Sequence, residues 1–320
     1  MTGDITVFSG SAHPQFAEEM CQILGVNLSP SRTTRFSNDC LQVQLRANCR
    51  QRDVYVVQPL VPPVQENLFE LLLMLDAARG ASAAHITAVI PHFAYARSDK
   101  KDAPRISIGA RLVADMLESA GATRVLTMAL HAPQVHGFFS VPVDHLSAVE
   151  ELAEHFKTQN LTNTVVVSPD LGNAKMATQL ARILGVPVAA GSKQRLADDT
   201  VVIDAIVGDV HGKDVIVLDD EIATAGSIIE LLRKLRQEGV NRVALACTHG
   251  LFTGPAIDRL KQEPGIDEIV ITNTVPLPPE KRLPNIVTRS VAPLFAEAVR
   301  RTHCGESVSS LFSDKITYGA

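Results

Sequence analysis

Val215 to Ser227 reads VIVLDDEIATAGS, and this stretch decides the fold. Four apolar, mostly β-branched residues end on two adjacent acids, followed by small and hydroxyl-bearing residues and then by Ile228, Glu230, Leu231 and Leu232 in helical order. That is a buried strand feeding a loop and a helix, the repeating step of a parallel sheet with helical crossovers. Ligands of such sheets collect beyond the carboxyl ends of the strands, where Asp219 and Asp220 stand. Neighbouring carboxylates accept hydrogen bonds from vicinal hydroxyls, and Thr224, Ala225, Gly226 and Ser227 offer backbone N–H groups at a helix start to a phosphate. The combination points to a phosphorylated ribose. An acidic turn with a helix cap is the plainer alternative, although a cap alone requires neither the paired acids nor the glycine.

Outward from this stretch the same pattern recurs. Apolar runs at 54–58, 86–91, 125–129, 165–169, 243–248 and 269–272 alternate with helical-period segments such as Asn67–Arg79, Ile108–Ala120 and Ser227–Glu238. Gly121, Gly185 and Gly239 stand where helices should stop. Asp53-VYVVQPL, Glu70-LLLML and Thr87-AVIPHF follow the order of Asp214-VIVLDDE, Glu230-LLRKL and Val243-ALACTHG at an offset of about 160 residues. The fold class is therefore α/β: two similar domains, each a mostly parallel sheet flanked by helices, divided near residues 147–164. Only the second half carries the DDEIATAGS loop; the first has QPLVPPVQ in its place.

The bulk properties exclude several classes. A net charge of -5 gives no basic surface for a nucleic acid polymer, and 4% aromatics without tryptophan give no base-stacking platform. Five scattered cysteines form neither a disulfide framework nor a zinc pattern. No stretch reaches membrane-span length and no leader is evident, so a cytoplasmic protein is expected.

Further segments carry a resemblance: FSGSAHPQFAEE near the start, RFSND at 35–39, PHFAYARSDKKD at 91–102, LHAPQVHGFF at 130–139, VVVSPDLG at 165–172, THGLFTGPAIDRL at 248–260 and VAPLFAEAVRRTHCGESVSSLF at 291–312. In order and spacing the chain resembles the ribose-phosphate pyrophosphokinases, a family with the type I phosphoribosyltransferase fold. The resemblance implies an enzyme that moves the pyrophosphoryl group of ATP, with Mg2+, to the 1-hydroxyl of ribose 5-phosphate, giving PRPP and AMP. It implies Lys193 and Arg195 as catalytic residues, His131 and Asp170 as metal positions, and Asp219, Asp220 and Thr224 to Ser227 as the ribose 5-phosphate loop. Phe36, Asn38, Arg97, Ser98, Asp102 and His131 match positions that contact ATP. Arg50, Ser307, Ser309 and Phe312 match a regulatory site for phosphate or ADP. A homo-oligomer is implied, a hexamer built from dimers, with the Phe36 loop completing a neighbour's adenine pocket.

The departures cluster on the nucleotide and metal side. Asn38 and Cys40 stand where the family has acids, Ser98 replaces Gln, Ala129 and Ala223 replace Asp, Asn173 replaces Gly, Gln194 replaces Arg, and Asn48 replaces Ser. Asn38 can donate as well as accept, which leaves nucleotide preference open. The losses also leave room for a regulatory paralogue that joins an active synthetase, and Ala223 for a phosphoribosyltransferase that consumes PRPP.

Overall fold

A computed structural model describes residues 4–170, 172–197 and 200–311 and divides them into two compact units. The first holds the residues up to Ser147, Thr274–Pro276 and the chain from Val291; the second holds Ala148–Asn273 and Leu277–Ser290.

In the first unit the elements are β1 (Ile5–Ser9), α1 (Pro14–Leu24), β2 (Ser31–Arg35), β3 (Leu41–Leu45), β4 (Asp53–Val57), α2 (Val64–Gly80), β5 (His85–Ile90), α3 (Gly109–Ala120), β6 (Arg124–Met128) and β7 (Val143–Leu146). Five parallel strands pair in the order β1-β4-β5-β6-β7, and β2 with β3 forms a separate antiparallel hairpin. Val54, Val56, Ala88 and Ile90 are buried between Leu71, Met74 and Leu75 of α2 and Val113 and Leu117 of α3, as near-continuous apolar strands covered by helices require.

The second unit contains α4 (Val149–Phe156), β8 (Thr164–Ser168), α5 (Ala174–Leu184), β9 (Val188–Ala197), β10 (Thr200–Val207), β11 (Asp214–Ile222), α6 (Gly226–Gln237), β12 (Val243–Gly250), α7 (Ala256–Gln262), β13 (Ile266–Thr272) and β14 (Ile286–Arg289). Its sheet runs β10-β9-β8-β11-β12-β13-β14, with only β9 and β10 antiparallel. Every residue of β8 is buried, so TVVVS reads as a central strand. Gly185 ends α5 at φ 68°, where its N–H returns to the carbonyls of Ala181 and Arg182.

The chain then returns to the first unit as α8 (Ala292–Cys304), packed on α1. Phe16 and Phe295 meet edge-on at 5.3 Å, both fully buried. Burying each ring contributes about 2–3 kcal/mol, so this pair outweighs the polar contacts around it. His303 Nδ1 lies 2.6 Å from Asp53 Oδ2, and Tyr55 donates to the Val299 carbonyl at 3.4 Å.

Candidate functional site

β11 outruns its partner β8, last pairing with it at Val217↔Val167, so Asp219 and Asp220 project beyond the neighbouring strand end. The chain leaving β8 turns back toward them: Asn173 N donates to Asp170 Oδ1 at 3.0 Å. Asn173 Nδ2 donates to Asp219 Oδ1 at 2.8 Å and to Asp220 Oδ1 at 3.0 Å, and Asp220 N donates to Asp219 Oδ1 at 2.9 Å. One amide thus joins both acids. Burial pushes the Asp219 carboxyl well above the usual range, reinforced by the charge and hydrogen bond of Asp220 and the charge of Asp170. The same acids, after burial itself, push the fully buried Cys247 thiol up, which makes it inert packing beneath the site.

Beyond the acids the loop is held from below. Phe252 N and Thr253 N donate to the carbonyls of Ile222 and Ala223 at 3.0 and 2.9 Å. Ala225 then takes a left-handed conformation, φ 60° and ψ 6°, which costs a residue with a Cβ about 1 kcal/mol. Its neighbour's carbonyl, that of Thr224, accepts from Arg259 Nη1 of α7 at 2.9 Å. In a trans peptide the N–H opposes the C=O, so fixing the Thr224 carbonyl on Arg259 aims the Ala225 N–H the other way. No side chain caps α6, leaving its first turn suited to an anion.

The first unit shows the same step closed. Gln58 occupies the place of Asp219, five residues after the start of β4 at Asp53 as Asp219 is after the start of β11 at Asp214, and just past the end of β4. Its side chain is fully buried, accepts from Ala12 N at 3.1 Å and donates to Glu70 Oε2 at 2.7 Å. A Cβ on Gly10 would come within 2.4 Å of Gln58. Pro62 and Pro63 replace the small residues before α2, removing backbone donors from that helix entry. With Gln58 in place of an acid and two prolines in place of backbone donors, this end of β4 lacks the pairing of carboxylates and free N–H groups found beyond β11.

The remaining expected residues divide between the units. Lys193 and Arg195 lie on β9, in register with Ile203 and Val201 of β10; their side chains fall outside the described residues. The polar stretch 191–195 lies within β9, which runs to Ala197 because β10 supplies its backbone partners. In the first unit Phe36 is 47% exposed in the turn between β2 and β3, where Asn38 Oδ1 accepts from Cys40 N at 3.2 Å. Thr33 of β2 donates to Glu70 and Arg35 pairs with Glu66, tying the hairpin to α2. Arg97 is exposed at the end of a short helical turn. Ser98 Oγ accepts from Gly109 N at 2.9 Å and so anchors the start of α3. Asp102 is exposed, 3.8 Å from Lys100 Nζ. His131 is exposed just past β6, on a segment shaped by Ala129 at φ 43° and by Leu130 N donating to His145 Nε2 at 2.8 Å. Ser307 Oγ accepts from Ser309 N at 3.2 Å, and Arg301 Nη1 holds the Ser307 carbonyl at 3.1 Å. Arg50 is exposed, its N–H on Asn48 Oδ1 at 3.1 Å; Phe312 lies outside the described residues.

Sequence reasoning treated Asn173 only as a departure and did not find Arg259. The sole signal for Arg259 is a cation in the helix following THGLFTGP, and its contact with Thr224 spans 35 residues.

Residues 5–121 match a family model described as the N-terminal domain of ribose phosphate pyrophosphokinase, and residues 196–313 match one described as the phosphoribosyl synthetase-associated domain. A provisionally named ribose-phosphate pyrophosphokinase of Streptomyces coelicolor is 64% identical over 97% of this chain and 98% of its own length. The ribose-phosphate pyrophosphokinase of Deinococcus radiodurans is 49% identical, again over 97% and 98%. Among solved structures, the phosphoribosylpyrophosphate synthetase of Mycobacterium smegmatis superposes with a TM-score of 0.87 at 38% identity, covering 94% of this chain and 99% of that one.

Proposed function

This chain belongs to the ribose-phosphate pyrophosphokinase family, and from that premise we propose that it transfers the pyrophosphoryl group of ATP to the 1-hydroxyl of ribose 5-phosphate, giving PRPP and AMP. The observation that carries this reading is the Asp219–Asp220 pair at the end of β11, followed by the left-handed Ala225 that opens α6. The 5-phosphate sits on the N–H groups of Ala225, Gly226 and Ser227 with the Thr224 and Ser227 hydroxyls, and the two acids accept from the ribose hydroxyls.

Magnesium fits the donor set. Magnesium favours oxygen ligands, keeps waters and borrows substrate phosphate oxygens, and the Asp170 carboxylate near the Asp219 acid is such a ligand. Asp170 would hold such an ion, and bound magnesium would neutralise charge on the transferring phosphates. His131 suits phosphate better than magnesium by residue type. Lys193 and Arg195 supply the cations that a phosphoryl-type transfer requires. Residues 1–150 carry the nucleotide side through Phe36, Asn38, Arg97, Ser98 and Asp102, and residues 151–320 the ribose side.

Assembly into a hexamer of dimers, response to phosphate or ADP through Arg50, Ser307, Ser309 and Phe312, and a cytoplasmic location belong to the same reading. No helix of the described residues is long and apolar enough to cross a membrane. The test is a coupled assay with the purified full chain, magnesium, ribose 5-phosphate and each nucleoside triphosphate in turn. AMP and PRPP should accumulate together with ATP; no turnover with any donor would overturn the proposal.

A further inference from the structure

A cavity of about 410 Å³ opens in the first unit, beside the carboxyl end of β1, lined by Ser9, Gly10, Ser11, Ser31, Thr33 and Glu70 among others. Among the described residues no expected substrate or effector residue lines it. Glu70 is its floor, a buried side chain whose carboxylate accepts from four donors. These are Ser11 N at 3.0 Å, Ser11 Oγ at 2.6 Å and Gln58 Nε2 at 2.7 Å on Oε2, and Thr33 Oγ1 at 2.5 Å on Oε1.

The direction of these bonds fixes what the cavity can recognise. Each hydroxyl has one hydrogen and two lone pairs. The hydrogens of Ser11 and Thr33 are spent on Glu70, that of Ser9 on the Gly10 carbonyl at 2.7 Å, and that of Ser31 on the Ser9 carbonyl at 3.2 Å. Four hydroxyl oxygens are therefore left as acceptors. The backbone donors of the wall are also turned inward: Gly10 N bonds the Val57 carbonyl at 3.0 Å and Ser29 N the Val7 carbonyl at 2.8 Å. Among the described residues neither Lys nor Arg lines the space, and the Glu70 carboxylate lies behind the hydroxyls. Such a wall repels phosphate and carboxylate and has few hydrogens to give a neutral sugar. It matches a group that only donates and carries positive charge.

We propose that this cavity is a binding site for a small organic cation bearing N–H donors, a guanidinium or primary ammonium compound. It is separate from the anion-binding loop of the second unit and does not depend on the reaction assigned there. The hydrogen-bonding roles select the ligand: planar or tripodal N–H groups meet Ser11, Thr33, Ser9 and Ser31, while Glu70 balances the charge.

The test is calorimetric titration of the purified full chain with methylguanidinium chloride, with tetramethylammonium chloride, ribose and inorganic phosphate as separate titrants, followed by a crystal soaked in methylguanidinium. Saturable methylguanidinium binding, with density between Thr33 and Ser11, is expected. Thr33→Val, which keeps the shape and removes one acceptor, should weaken that binding about tenfold, the effect of one hydrogen bond to a charged group. Because Glu70→Gln risks the fold, Ser31→Ala serves as the second variant, with a smaller loss in the same direction. No saturable binding, equal binding of tetramethylammonium or ribose, unchanged affinity in both variants, or a cavity filled by a second copy of the chain would each overturn the proposal.

Discussion

Asn173 Nδ2 lies 2.8 Å from Asp219 Oδ1 and 3.0 Å from Asp220 Oδ1, so a single amide donates to both acids at the end of β11. Donation to the Asp219 carboxylate favours its ionised form and lowers its affinity for a proton, against the burial that raises it. Replacing Asn173 by Gly, the family residue, should raise that affinity. The acid limb of the pH profile of kcat/KM for ribose 5-phosphate should then move upward by about half to one pH unit. An unshifted limb in N173G would show that the amide does not tune the pair.

Asp219 itself sets function against stability. Its folded-state value is raised, by burial first and by Asp220 and Asp170 after it, so the folded chain binds more protons than the unfolded one above the ordinary carboxylate range. Stability from this group is present at low pH and is lost as pH rises past the unfolded value toward the folded one. At neutral pH, Asp219→Asn should therefore raise the melting temperature by a few degrees, roughly 2–4 °C per kcal/mol at this domain size, while abolishing turnover. Calorimetry and the coupled assay on one preparation check both halves.

Arg259 reaches the loop from α7 and holds the Thr224 carbonyl at 2.9 Å. Arg259→Ala frees that peptide to rotate, so KM for ribose 5-phosphate should rise about tenfold while KM for ATP stays within about twofold. Steady-state kinetics with each substrate varied in turn separate the two. A parallel rise in both constants would mean that Arg259 supports the unit as a whole.

His145 gives the first unit a pH dependence of its own. Its Nε2 accepts from Leu130 N, and burial, with the charge of His136 second, holds it down to about 4. A base with a depressed folded value binds fewer protons folded than unfolded, so its contribution is complete above about 6.5 and is lost as pH falls toward about 4. Urea midpoints should decline between pH 7 and pH 5, and His145→Gln, which does not titrate, should flatten that decline.

Much of this architecture was legible in the sequence where burial leaves one solution. Runs such as 165–167 and 243–247 are continuously apolar because helices cover both sheet faces, and Gly185 marks the stop of α5. Legibility fails where the backbone partner decides the structure. The polar GSKQR stretch is strand because β10 pairs with it, and SRTTR with LQVQL becomes a hairpin through mutual pairing. In the site, the acids and the small residues before α6 were readable from type and spacing. The bridge by Asn173 and the brace by Arg259 were not, since each joins segments distant in sequence, the start of α5 to the end of β11 and α7 to the loop before α6.

The hairpin that carries Phe36 is fastened at its base by Thr33 on Glu70 and Arg35 on Glu66, and at its turn by Arg35 on Asp39. An exposed aromatic on a loose loop would surrender backbone and rotamer freedom on meeting any partner, about 1–2 kcal/mol for each residue ordered. Here that ordering accompanies folding of the chain itself. Whatever surface receives Phe36 meets a preorganised tip, so encounter needs no loop rearrangement and affinity gained there is not diluted by entropy.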